Sequence, residues 1–425
     1  MINSKNRNSL SVLIGVLMFF ASIFFMPGRA TAYSVLTHEA VVDACWEKSF
    51  VPLLKNKYPA IKPEQLKEAH AYAYGGAIMP DMGYFPFGSH FFTNLVHYVR
   101  NGDFENALLD EAQDANEYAF ALGCLCHYMS DKYGHSLGTN YCVALAYPKL
   151  EKKFGHVITY EENEIAHRRM EFSFDVLQTA RGNYASQSYH DFIGFKVARP
   201  LLERAFSKTY GMDINDVFGN LSLAISTFRW SVQSLFPELM KAAWVIKKKD
   251  IQKLRPDATS RNFKYKMHHR NYYQEYGKER HRPGFFANTL ALLIRVLPKV
   301  GPLKVLKVKA PGPAEEKLFI NSFDTVLVQT SRAMNSLSNS TINFNNIDFD
   351  TGADTYPGEY TLADKAYEEL LFKLQQDNFY CTNQGLKSSL MQFFNEYKPV
   401  VANKRTEQEW AKVNSGFHEL ELCKP

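Results

Sequence analysis

Between residues 33 and 247, apolar side chains recur at the three- and four-residue spacing of helices, and strand-like alternation is nearly absent. That periodicity excludes a sheet-based fold and leaves helices packed face to face. Thr37 is placed to cap a helix opening at His38-Glu39, and the Ala-rich segment 64–74 predicts a second helix. Residues 104–129 carry Ala107, Leu108, Ala112, Ala115, Tyr118, Ala119, Leu122 and Leu125 on a helical repeat. Segment 217–249 predicts one or two more long helices, and 316–337, 362–374 and 388–397 predict three helices toward the C-terminus. The expected class is therefore all-α, a multi-helix bundle with a helical C-terminal extension. With 425 residues, 46% of them hydrophobic, the chain can bury a core in more than one unit.

The N-terminus predicts export. Lys5 and Arg7 precede an apolar run from Leu10 to Met26, Pro27-Gly28 breaks it, and Ala30-Thr31-Ala32 offers small residues for cleavage. A signal peptide over 1–32, cut near Ala32/Tyr33, implies a secreted or periplasmic protein. Residues 1–32 carry only basic charge, so the net charge of +5 falls to +2 without them. A near-neutral chain has no global footprint for nucleic acid. Six cysteines in an exported chain can pair, and Cys381 with Cys423 is the pair that would staple the C-terminal part.

The expected organisation is a helical unit over 33–246, a basic linker over 247–284 and a helical region over 285–425. The linker interleaves Lys and Arg with Tyr265, Tyr272, Tyr273 and Tyr276. An apolar stretch broken by Arg295, Pro298 and Pro302 follows it. It is too interrupted to span a bilayer but suits peripheral contact with a lipid surface. Farther on, Asp348, Asp350, Asp354 and Glu359 fall on calcium-loop positions, but Gly352 and Ala353 break the frame, so a polar turn is the favoured reading.

Of 13 histidines, nine lie between His38 and His190. His127 and Asp131 stand four apart, as do His167 and Glu171, so each pair shares a helix face. His135 follows Gly134, a residue expected to end the helix. Asp81 opens a turn, and His97 sits in a helical segment with His90 as its competitor. Imidazole and carboxylate together suit a borderline divalent ion, zinc above all. Cleavage before Tyr33 would free an amine that chelates a metal with its own carbonyl, and His38 is near enough to join it. No G-x-S-x-G, P-loop or G-x-G-x-x-G pattern suggests another chemistry.

The order Tyr33, His38, Asp81, His97, His127-x-x-x-Asp131, His135, His167-x-x-x-Glu171 resembles the trinuclear zinc phosphoesterases. That superfamily holds bacterial zinc-dependent phospholipase C and the fungal single-strand nucleases of the S1/P1 type. PDMGYFPFGSHFFTNLVHYVR and GCLCHYMSDKYGHSLGTN look closer to the phospholipase branch. The resemblance implies three Zn2+ ions. Asp81, His97 and His127 would hold the first. The Tyr33 amino and carbonyl groups, His38 and a bridging Asp131 would hold the second. His135, His167 and Glu171 would hold the third, with His156 an alternative ligand. Asp81 and Asp131 become the catalytic carboxylates. Met82 stands where choline-preferring members have Tyr, leaving Tyr84, Phe85 and Phe87 as an aromatic wall for substrate.

The implied activity is phospholipase C-type cleavage of a phospholipid phosphodiester by zinc-activated hydroxide, at a phospholipid or membrane surface. The alternatives are a single-strand nuclease or 3′-nucleotidase with the same zinc site, and a non-catalytic membrane-binding protein with structural metals. No protein partner is implied.

Overall fold

The computed structural model describes residues 35–181, 184, 193–236, 249, 252–253, 309–338, 342–397 and 404–423. Among these residues the regular structure is helical, as expected, and the only strand-like feature is one antiparallel bridge between Ile347 and Asp354. The signal segment, Tyr33 and nearly all of 247–308 lie outside the described residues. Among the described residues no helix is long and apolar enough to cross a membrane.

Helix α1 (Val35–Cys45) passes through a π-helical turn, Trp46–Phe50, into α2 (Val51–Lys57). Helix α3 (Pro63–Ile78) starts on a proline, whose missing N–H costs nothing in the first turn. It runs into a 3-10 turn, Met79–Tyr84, then α4 (His90–Tyr98), α5 (Asn101–Glu111) and α6 (Ala115–Gly134). A second π-helical turn, His135–Thr139, joins α6 to α7 (Asn140–Ala146). After these come α8 (Pro148–Phe154), α9 (Tyr160–Arg181), α10 (Arg199–Tyr210), α11 (Ile214–Val217) and α12 (Leu221–Trp230). The C-terminal helices are α13 (Pro313–Leu337), α14 (Thr361–Gln376), α15 (Gln384–Glu396) and α16 (Lys404–Leu422).

The centre of the bundle is the crossing of α3 and α6. A Cβ on Gly76 would stand 1.9 Å from the Phe120 carbonyl oxygen, and one on Gly123 would stand 2.1 Å from that of Ala73. Only glycine at both positions lets the two backbones approach so closely. Fully buried Phe50, Phe92, Phe120 and Phe206 fill the surrounding core. Each contributes roughly 1.5–3 kcal/mol of burial energy.

One contiguous core draws on residues from Val35 to Leu420. Helix α13 buries Phe319, Ser322, Val326, Thr330 and Met334, a stripe of helical period, and packs on α6, α7 and the turn between them. Phe319 stacks on Phe174 of α9 at 4.2 Å.

Local chemistry moved several boundaries. The stretch 104–129 is two helices, because Asp114 accepts the N–H groups of Asn116 and Glu117 and caps α6 anew. Thr37 lies inside α1, its hydroxyl donating to Asp175 across the core instead of capping its own helix. Gly134 keeps a right-handed helical conformation (φ −70°), so the helix continues past it. Helix α16 lies beyond the three C-terminal segments expected to be helical. None of the six cysteines is in a disulfide; Cys381 is exposed, and Cys423 approaches the Phe379 carbonyl oxygen instead.

Candidate metal centre

The ligand-type side chains arrive from separate elements: His38 from α1, Asp81 from the 3-10 turn, His97 from α4, and His127 and Asp131 from α6. His135 comes from the π turn, and His167 and Glu171 from α9. All are buried, none more than 3% exposed. One helical turn separates His127 from Asp131, and because the chain stays helical through Gly134, His135 follows one turn later on the same side.

Asp131 is the meeting point. Its Oδ2 lies 3.1 Å from His127 Nε2 and 3.7 Å from His97 Nε2; its Oδ1 lies 3.5 Å from His38 Nε2 and 3.9 Å from His135 Nε2. Two sets have donor atoms all within 4.8 Å of one another: His38, His127 and Asp131, and Asp81, His97 and His127. His135, His167 and Glu171 meet around Glu171 Oε1, which is 3.7 Å from His135 Nε2 and 2.7 Å from His167 Nδ1.

The far sides of the His97 and His127 rings are fixed. His97 Nδ1 lies 2.9 Å from the Thr93 carbonyl oxygen, and His127 Nδ1 lies 2.9 Å from that of Ala77. The Ala77 contact exists because Gly76 and Gly123 let α3 lie so close to α6. These bonds place the proton on Nδ1 and leave Nε2 as a ligand nitrogen, the arrangement metal-binding histidines need. Farther out, Asp175 accepts the Leu36 N–H at 3.0 Å and the Thr37 hydroxyl at 2.7 Å, pinning the start of α1 to α9.

Both oxygens of Asp81, Asp131 and Glu171, together with His97 Nε2 and His127 Nε2, are buried and face one another in contacts that lack good hydrogen-bond geometry. Carboxylates so placed are costly unless a cation joins them. The donor set fits zinc: nitrogen and oxygen ligands, converging and already dehydrated.

The electrostatics agree. Burial alone would raise the Asp131 carboxyl, but His127 and His135 outweigh it and hold it well below the usual range. Burial alone would lower His135, yet Asp131, Asp350 and Glu171 push it up to about 10. Burial raises Asp81 and Glu171, with neighbouring imidazoles offsetting part of the effect. His38 goes down, through burial and then the adjacent His127.

Of the aromatic wall, Tyr84 lies beside the cluster, its ring 6.2 Å from that of His97. Phe85 turns into the core, edge-on to Phe228 at 4.9 Å, and Phe87 is 39% exposed at a left-handed φ of 63°. His90 sits near Tyr84, outside both compact sets. His156 is 87% exposed and paired with Glu151, away from the cluster.

Asn140, Asp350, Tyr98, Tyr360, Tyr160 and Phe349 were not anticipated at the site. Tyr160 lies 5.9 Å from the His167 ring and Phe349 lies 5.2 Å from that of His97. Asp350 had a signal, the acidic run 348–359. Its carboxylates do not form a cage: Asp350 faces His135, Asp354 accepts from Asn345, and Asp348 accepts the Asp350 N–H in an Asx turn.

A helical bundle with buried, converging imidazoles and carboxylates defines a metal-binding protein of the all-α class. Residues 37–220 match the family model described as zinc dependent phospholipase C, so this segment is similar to that family. No curated protein and no solved structure matches it. A zinc-dependent phosphoesterase is the class that the family and the His/Asp groups support together.

Proposed function

We propose that the chain is an exported, trinuclear zinc phospholipase C, hydrolysing the phosphodiester of a phospholipid to release a phosphorylated headgroup. The observation that carries this reading is the single Asp131 carboxylate reached by His38, His97, His127 and His135. Asp81, His97 and His127 hold one ion. His38 and Asp131 would hold a second, with the amine and carbonyl of Tyr33 as its proposed partners, and His135, His167 and Glu171 would hold a third. When bound, zinc supplies an ionised water at neutral pH and positive charge opposite the phosphoryl oxygens. Asp81 has two buried oxygens, so one can ligate while the other orients the attacking water. Tyr84 lies beside His97, ring to ring at 6.2 Å, and is a candidate contact for the headgroup.

The phospholipid surface and the export route belong to the same proposal. They draw on the N-terminal segment and on the basic and apolar stretch 247–308. One preparation of processed protein, assayed on diacylphospholipid vesicles and on single-stranded DNA with zinc counted per chain, tests it. Release of phosphorylated headgroup with three zinc ions supports the reading. Cleavage of DNA but not lipid moves the chain to the nuclease class, and zinc without hydrolysis of either leaves a structural metal site.

A further inference from the structure

Asp350 lies beyond the segment that matches the family, in the turn that follows Ile347, and is 1% exposed. Its carboxylate is shared between two duties. Oδ1 stands 3.3 Å from His135 Nδ1, and Oδ2 accepts the hydroxyls of Tyr98 at 2.8 Å and Tyr360 at 2.7 Å. Its backbone carbonyl accepts the Asn140 amide at 2.7 Å, and the Asn140 side-chain oxygen lies 2.8 Å from His167 Nε2. The outer nitrogens of both imidazoles of the third set are therefore held through this one residue. His135 Nε2 and His167 Nδ1 are left facing Glu171.

The turn is built to hold that position. Asp348 accepts the Asp350 N–H at 2.8 Å and the Thr351 hydroxyl at 2.7 Å, and its carbonyl accepts the Gly352 N–H at 2.8 Å. Gly352 adopts a left-handed φ of 74°, and a Cβ there would stand 2.6 Å from the Lys132 carbonyl oxygen. Only glycine lets the turn sit so close to the end of α6. Asn101 clamps the Ile347 end through both its amide and its carbonyl.

We infer that Asp350 is a positioning residue of the third zinc site, orienting His135 with its carboxylate and His167 through Asn140. The inference rests on the trinuclear reading above. A carboxylate on the outer nitrogen fixes the tautomer, limits ring rotation and makes the ligand nitrogen more basic. The C-terminal region is thus part of the catalytic structure. It is not only an attachment to the surface.

The test uses the full processed chain. Zinc per protein and the affinity of each equivalent are measured by chelator competition, with circular dichroism as the folding control. In Asp350→Ala one zinc equivalent should lose about 10–100-fold in affinity while the other two stay within about twofold. Asp350→Asn, which keeps the shape of the turn, should show a smaller loss at the same equivalent. If the alanine variant does not fold, the asparagine variant decides. Unchanged affinity for all three ions, or an equal fall at all three, overturns the role of Asp350. Wild-type protein that holds fewer than three ions overturns the trinuclear reading itself.

Discussion

The two halves of the metal centre are held in different ways. Around His97, His127 and Asp131 the support is helical backbone: carbonyls of Thr93 and Ala77 fix the rings, and glycines set the α3–α6 distance. Around His135 and His167 the support is a turn more than 180 residues farther along the chain, acting through Asp350 and Asn140. The first half is a property of the matched family segment, while the second needs the C-terminal region docked. A metal site can therefore be encoded within one segment and still be completed by another.

Asp131 lies between the first and second ligand sets, so its loss should have the largest effect. Asp131→Ala should cost more than one equivalent of zinc and lower turnover by about 10³-fold or more. Metal analysis and a headgroup-release assay check this, and loss of a single ion would mean that Asp131 does not bridge the first two. The Asp350 variants come next and should touch only the second half. Gly123→Ala should instead act on the first half. By forcing α6 from the Ala73 carbonyl it should cost about 1–3 kcal/mol of stability and weaken the ion held by His127 before the one held by His167. Denaturant titration and stepwise chelation separate these outcomes.

The smallest effect expected is at Glu105 on α5, a buried acid outside the centre whose pKa is raised well above the carboxylate range by burial. Its folded form holds a proton more tightly than the unfolded chain does. Stability should therefore fall as pH rises above about 4.5 and through the folded pKa. Glu105→Gln should remove that slope and gain about 1 kcal/mol at pH 8 relative to wild type, with no gain at pH 4. Melting curves at the two values decide it. An unchanged slope would mean that burial alone does not make an acid costly here, which would weaken the argument from the buried oxygens of Asp81 and Asp131.

Much of this was visible in local patterns. The helical period predicted the class, and the four-residue spacings of His127 to Asp131 and of His167 to Glu171 placed each pair on one face. The resemblance put Asp81 and His97 with His127 and put His38 with Asp131, and the folded chain brings each of these groups together. Tertiary packing hid the rest. Phe85 looked like a wall residue until Phe228 packed against it, and His156 stood as an alternative ligand until its exposure became plain. Gly134 reads as a helix terminator, but the backbone passes through it into a π turn that keeps His135 on the face of Asp131.

Residue types and short spacings carried the helices, the candidate ligands and the suitability for zinc, because a side chain's chemistry and its neighbours within a turn or two are properties of the string. Which acid joins the imidazoles, and which group turns each ring, were decided only when distant segments met. The α3–α6 approach and the docking of Asp350 on His135 depend on backbone separations of a few ångströms between residues up to 215 positions apart, and no periodicity records them.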